Sequence, residues 1–444
     1  MQTPHTVAET LAEAFLQGEF ATESLVQRGA QALQGTPPRW LRRLASRAVQ
    51  TYGLGPRPAL PALSRFIAHD AAFQSAMRGR RPVVARAWLC VPEMFPIAAA
   101  RSWEVPPLCT LGSLAEWLDV PVGRLDALSD VKSLERLHPR ESLRNYRYRV
   151  LSKGGGRVRL IEAPKPLLRA IQRQILAEIL RAAPVHDSAH GFCHGRSTKT
   201  FATPHVDQSV VISLDLKEFF PSISAARVDA LFRSLGYPAR VAAALTALCV
   251  NCTPSWVWKK LSGDALTRRR IELERLYGFA HLPQGAPTSP ALANLCAYRL
   301  DCRLAGLAAV CGGNYTRYAD DLAFSGGERL RRSAARFQVH ASAIVMEEGF
   351  KVNHRKTRIM SQGACQKLAG VVVNRTTSLP RRDVDQLKAI LTNCVRFGPT
   401  SQNREGHADY RGHLRGRVAY VQFLHPGRGA KLRAIFEQID WNAS

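Results

Sequence analysis

The chain has 444 residues, 46% of them apolar, and carries a formal charge of +27 from 62 Lys and Arg against 35 Asp and Glu. That length asks for two or three domains or subdomains rather than one small core. There is no run of about 18 apolar residues to span a membrane, and the opening MQTPHTVAETLAEAF lacks the basic start and apolar stretch of a secretory leader, so a cytoplasmic location with no membrane partner is expected.

The charge excess predicts a polyanionic partner, because each phosphate contact releases counterions. A solvated, Arg-rich surface is the competing reading. Ten cysteines are scattered along the chain, and only Cys249 and Cys252 form a C-x-x-C pair. With no second pair at zinc-finger distance, a structural zinc is not expected.

Residues 1–110 read as a helical N-terminal extension. TVAETLAEAFLQ and PRWLRRLASRAVQTY place apolar residues at helical spacing, with breaks at Pro56, Pro58, Pro61, Pro106 and Pro107. From Thr110 the pattern changes. LGSLAEWLDV predicts a short helix. YRYRVLSKGGGRVRLIEAP predicts a hairpin around a triple-glycine turn, carrying Arg149, Lys153, Arg157 and Arg159. LLRAIQRQILAEILRAA then places Leu168, Ile171, Ile175, Leu176 and Ile179 on one helical face. Helices and short strands alternate without a βαβ rhythm, which predicts an α+β fold.

VVISLDLKEFF alternates Val210, Ile212 and Leu214 with Val211, Ser213 and Asp215, as a strand does, and ends on a carboxylate. Alone, Asp215 could simply cap a turn. Residues 249–281 follow as a long basic segment, in which Trp256, Trp258 and Arg268 to Arg270 suit base stacking and phosphate binding, or else a packed surface helix pair. LPQGAPTSPALANLCAYRL predicts a flexible Gln284–Gly285 turn, then a helix capped by Ser289 with Pro290 at its first position. Leu292, Leu295, Cys296 and Leu300 line one face of it.

NYTRYADDLAFSG places β-rich stretches, Asn314 to Tyr318 and Leu322 to Ser325, on either side of Asp320 and Asp321. Adjacent carboxylates between apolar strands repel, and a divalent cation removes the penalty. Mg²⁺ is the hard-ion match, with Mn²⁺ as substitute. Two ions about 3.5–4 Å apart would stabilise the attacking and leaving oxygens of a phosphoryl displacement. An ordinary surface turn is the weaker alternative.

Taken in order, SLDLKEFFPSI, LPQGAPTSP, YTRYADDLAFSG, GFKVNHRKTRIM and KLAGVVVN resemble the successive polymerase motifs of reverse transcriptases. The likeness runs from about residue 112 to about 436, and KGGGRVRLIEAPKPLLRAIQRQIL resembles the fingers of bacterial members. GFCHGRSTKTFATPHV and YRGHLRGRVAYVQFLHP resemble the retron group in particular. Two motifs depart from that group. The Asn-Ala-x-x-His pattern stands here as Phe201-Ala202-Thr203-Pro204-His205, and Val-Thr-Gly as Leu368-Ala369-Gly370.

The resemblance implies a right-hand polymerase, with fingers and palm over 111–377 and a helical, RNA-binding thumb over 378–444. Asp215, Asp320 and Asp321 would hold two metals, with the Leu216 carbonyl as an extra ligand. Phe220, five positions after Asp215, would be the gate beneath the sugar. Gln284 would line the nucleotide pocket, Arg159 and Lys153 would bind triphosphate, and Lys356 would approach the leaving pyrophosphate. Solvated basic faces are the alternative for Arg159 and Lys356. In the thumb, Arg411, Arg415, Arg417 and Arg428 interleave with His413, Tyr420 and Phe423, which suits an RNA stem.

The implied activity is RNA-directed DNA synthesis from deoxynucleoside triphosphates on a structured non-coding RNA that serves as template and primer. The product would be branched RNA–DNA (msDNA), made in antiphage defence, usually with an effector protein. Other bacterial reverse transcriptases, group II intron-like or defence-associated, are the nearest alternatives. A maturase is disfavoured because the chain ends soon after the thumb. Phe220 argues against an RNA-dependent RNA polymerase. The intact Asp triad argues against a non-catalytic RNA-binding protein with this fold.

Overall fold

The computed structural model describes residues 3–53, 55–79, 82, 84, 92–130, 134–137, 140–152, 158–259 and 264–441. Its main strands are β1 (Tyr146–Ser152), β2 (Val158–Pro164), β3 (Val210–Asp215), β4 (Gly313–Tyr318), β5 (Asp321–Gly326) and β6 (Arg358–Ser361), set among many helices. The chain divides into two compact units, one of residues 1–184 and 220–296, the other of 185–219 and 297–444.

The first unit begins with helices Pro4–Phe15, Thr22–Ala32, Arg39–Tyr52, Leu60–His69 and Ala71–Arg78. The predicted periodicity is realised here: Val7, Leu11, Phe15, Leu25, Leu41, Leu44, Leu63 and Ile67 form a core of their own. Asp70 closes it twice, receiving Arg47 through two hydrogen bonds of 2.7 Å and capping the last helix through Ala72 N–H.

The predicted hairpin is present, with β1 and β2 antiparallel and Leu151 opposite Arg159. Its triple-glycine turn and Lys153 lie outside the described residues. The next helix, Pro166–Glu178, buries Leu168, Ile171 and Ile175. Between 249 and 281, Trp258 takes the packed alternative and not the stacking one. It is 1% exposed and packs with Leu160, Val257, Leu273 and Tyr277, so it is core and cannot stack on a base. Trp256 meets Tyr148 edge-on, Arg144 lies over its ring, and Arg270 pairs with Glu274 at 3.6 Å. The side chains of Arg268 and Arg269 are not among those described. Ser289 departs from its expected role. It opens the helix Ser289–Cys296, but its buried hydroxyl donates 2.7 Å to the Pro283 carbonyl and staples the loop instead of capping the helix.

The second unit is built on a four-stranded antiparallel sheet in the order β4-β5-β3-β6. β3 is central and buried on both faces, so its alternation marks two apolar environments rather than core and solvent. On β5, Phe324 packs edge-on against Phe337 of the helix Ala334–Glu347. Leu368-Ala369-Gly370 forms a tight turn in which Ala369 and Gly370 both have positive φ, the conformation a two-residue hairpin turn requires. From Arg381 the chain is helical, as expected: Arg381–Phe397, Tyr410–Leu424 and Pro426–Phe436 share Leu387, Leu391, Leu414, Val418, Val421 and Leu432 as a core. Among the described residues, no helix is long and apolar enough to cross a membrane.

Candidate active site

The sheet register brings the predicted carboxylates together. Asp215, the last residue of β3, stands opposite Asp321, the first residue of β5. Asp320 occupies the β4–β5 turn between them in sequence, and its carbonyl accepts from Leu216 N–H at 2.9 Å. Like charges placed directly opposite on neighbouring strands destabilise a sheet. The cost appears at Asp321, whose carboxyl is pushed up to about 6, first by burial and then by Asp320 and Asp215, with Lys356 acting the other way.

Asp215 is 4% exposed and fully engaged. Lys356 Nζ donates to its Oδ1 at 2.6 Å, and Asn353 Nδ2 donates to its Oδ2 at 2.9 Å. Asn353 N–H also donates to the Asp215 carbonyl at 2.7 Å, so this one residue fixes both main chain and side chain. Asn353 was not singled out from the sequence. The available signal was its place in GFKVNHRKT, three residues before Lys356.

The turn is held from beneath by Arg317, another residue the sequence did not flag. Arg317 and Asp301 are both wholly buried and form a forked pair, Nε to Oδ1 at 2.8 Å and Nη2 to Oδ2 at 2.6 Å. Burial works against the guanidinium charge, but Asp301 outweighs it and the pKa sits above its ordinary value. Arg317 Nη1 reaches the carbonyl of Ala319 at 3.3 Å. Ala319 has a φ of 55°, strained for a residue with a Cβ, and directly precedes the two aspartates. Gly191 lies against the same residue. A Cβ there would come within 2.5 Å of the Ala319 nitrogen, so only glycine allows this approach.

Three mutually repelling carboxylates, one of them with a raised pKa, have the oxygen chemistry and negative charge that Mg²⁺ requires. Among the described residues, however, no group of three His, Cys, Asp or Glu side chains is arranged to hold a metal outright. Lys356 meets part of the charge demand at Asp215, so metal entry would require this ammonium to shift.

The other predicted residues are distributed as follows. Phe220 follows the site in the chain and begins the second stretch of the first unit, half-buried. Gln284 lies in the same unit, its carbonyl accepting from Glu162 N–H on β2 at 2.9 Å, and Arg159 is exposed on that strand. Arg411 and Arg415 are exposed and Arg417 half-buried, all on the helix Tyr410–Leu424.

A strand-end carboxylate thus faces a hairpin that carries two more, and comparison with known proteins gives the family. Residues 151–390 match the family model described as reverse transcriptase (RNA-dependent DNA polymerase). The chain belongs to that family. Among similar proteins, it is 44% identical over 306 residues to the Retron Mx65 reverse transcriptase of Myxococcus xanthus, covering 66% of this chain and 65% of that protein. It is 35% identical over 308 residues to the Retron Mx162 reverse transcriptase of the same organism, covering 66% and 61%, and 34% identical over 235 residues to the Retron Ec86 reverse transcriptase of Escherichia coli, covering 52% and 64%. The match therefore spans less than two thirds of the length of each of these relatives.

Proposed function

We propose that the protein is an RNA-directed DNA polymerase of the retron type, which synthesises msDNA from a structured non-coding RNA in antiphage defence. The observation that carries the polymerase reading is the register of Asp215 opposite Asp321, with Asp320 in the adjoining turn. The retron relatives support the finer assignment.

In this reading Asp215, Asp320 and Asp321 would hold two Mg²⁺ ions, with Mn²⁺ as a substitute and the Leu216 carbonyl as an extra ligand. Bound ions would supply charge stabilisation at the attacking and leaving oxygens. Lys356 passes from Asp215 to the pyrophosphate side, keeping a cation near the developing charge. Phe220 blocks a 2′-OH, Gln284 lines the nucleotide pocket, and Arg159 with Lys153 draws in the triphosphate. The thumb residues Arg411, Arg415 and Arg417 hold the RNA.

Two experiments test this. Asp320→Asn and Asp321→Asn each abolish deoxynucleotide incorporation in Mg²⁺ while leaving RNA binding nearly intact, because one ligand is lost from a chain of formal charge +27. Near-normal synthesis by both variants would remove the triad from the mechanism. Phe220→Ala admits ribonucleotides, read as single-nucleotide incorporation of ATP against dATP. An unchanged preference would take Phe220 out of the gate role.

A further inference from the structure

In the first unit one buried carboxylate collects an unusual number of partners. Glu162, on β2, is wholly buried. Its Oε1 accepts from Thr253 Oγ1 at 2.7 Å and from Asn251 Nδ2 at 2.8 Å, and its Oε2 meets His281 Nε2 at 2.9 Å. The other ring nitrogen, His281 Nδ1, lies 2.7 Å from the Phe279 carbonyl. Both imidazole nitrogens thus face acceptors, which only the doubly protonated ring satisfies. Burial opposes that charge, and the Glu162 carboxylate overcomes it, holding His281 above the usual histidine range.

The node touches each element that carries a nucleotide-pocket residue in this unit. Glu162 N–H donates 2.9 Å to the Gln284 carbonyl. Gly285 lies so close that a Cβ would meet the Glu162 carbonyl at 2.9 Å, and its φ is 134°. On the histidine side, His281 and Asn251 exchange two main-chain hydrogen bonds of 2.9 Å. The neighbours of His281 hold the turn that starts at Phe220. Leu282 N–H donates to Ile223, Ala225 N–H donates to Ala280, and Ile223 N–H closes on the Phe220 carbonyl at 3.1 Å. Arg159 lies three residues before Glu162 on β2, on the outward face.

We propose that the buried Glu162–His281 pair is a positioning node for the nucleotide pocket, setting together the backbone of Gln284, the turn that begins at Phe220 and the strand that carries Arg159. This gives the 249–281 segment a role: it supplies three of the four residues of the node and braces the pocket. The inference rests on the proposed polymerase reading, in which those three residues meet the nucleotide. Because the node acts through other residues, its loss changes nucleotide affinity and sugar choice while leaving the carboxylate site in place.

The test is steady-state extension of an annealed DNA primer on an RNA template, with dATP and ATP compared. Glu162→Ala raises KM for dATP about tenfold and lowers the preference for dATP over ATP about tenfold, with kcat and primer–template affinity changing far less, as displacement of a positioned group does. Glu162→Gln restores both values close to the parent, because its amide can donate to a neutral His281 and still accept from Asn251 and Thr253. A folded Glu162→Ala protein with unchanged KM and sugar preference overturns the proposal, as does a loss confined to kcat. Should Glu162→Ala fail to fold, Thr253→Val decides. This isosteric change removes one donor and shifts both values the same way by about threefold, and no shift overturns the node. Phe220→Ala serves as the control for the underlying reading. If it leaves sugar choice unchanged, the gate assignment fails, and the node stands or falls on the KM for dATP alone.

Discussion

Arg317 shows how one side chain can be structural and yet bear directly on the site. It neutralises buried Asp301, which also receives the Tyr315 hydroxyl at 2.7 Å, and it spends a remaining donor on the strained Ala319 carbonyl. Removing one partner of a buried pair leaves the other charge uncompensated, at a cost of about 3–5 kcal/mol. Arg317→Met is therefore expected to lower stability to chemical denaturation by that order, and Arg317→Met with Asp301→Asn to recover part of the loss, because the amide carries no charge and its oxygen still accepts from the Tyr315 hydroxyl. A single variant as stable as the parent would show that the pair contributes nothing. Nothing in the sequence marks this contact. Asp301 and Arg317 look like ordinary helix and strand charges until the fold buries both. The aspartates were legible for the opposite reason: Asp320 and Asp321 are adjacent acids flanked by apolar strands, a pattern that costs energy unless a cation is used.

At the scale of elements, the β4–β5 hairpin was legible from its alternation, while its clamp was not. His205 is completely buried, with Nε2 at 2.7 Å from Thr316 Oγ1 on β4 and Nδ1 at 2.7 Å from Ser325 Oγ on β5. The Thr316 hydroxyl gives its proton to the Phe201 carbonyl, so it can only accept from the imidazole. Nε2 of His205 therefore carries a proton, and burial, then nearby His190, lowers the pKa to about 3, which leaves the ring neutral at neutral pH. The folded-state value lies below the ordinary 6.5, so between about pH 3 and pH 6.5 the unfolded chain binds the extra proton. The stabilisation is complete above pH 6.5 and is lost as pH falls, by up to about 1.4 kcal/mol per pH unit. His190, lowered to about 4 by burial and then Arg196, acts in the same direction. The denaturation midpoint is expected to fall between about pH 7 and pH 5, and less steeply in His205→Gln. Parallel curves for parent and variant would remove His205 as a source of the acid sensitivity. The same reasoning explains Trp258. Composition alone allows a stacking aromatic or a core one, and only the neighbours Leu160, Leu273 and Tyr277 decide for the core.

Across the whole molecule, motif order revealed the family, but not the way a discontinuous chain builds two units, since no local signal reports which distant segments pack together. The charge of +27 is likewise a global property that does not say where a polyanion would bind. In the proposed reading, selection of an RNA would need shape as well as phosphate contact, and the helix Tyr410–Leu424 carries aromatic and cationic side chains that could serve both. Arg411 and Arg415 are exposed, and so are Tyr420 and Phe423, at 38% and 46%. Lys199 lies over the Phe423 ring at 5.3 Å and donates to the Phe423 carbonyl, and Thr198 meets the Tyr420 hydroxyl at 3.2 Å, so these aromatics are held in place while remaining at the surface. Near the start of the helix His407 and His413 stack at 4.1 Å, with Tyr410 nearly parallel to both. A general polymerase would use such a surface for any duplex. A retron enzyme would use it to hold and orient one structured RNA from which synthesis begins. Arg415→Ala combined with Arg417→Ala is therefore expected to weaken priming on the cognate RNA more than extension of an annealed DNA primer on an arbitrary template, when both substrates are measured at the same salt concentration. Equal losses on the two substrates would reduce these arginines to nonspecific phosphate contacts, and the selection of the RNA would have to lie elsewhere on the chain.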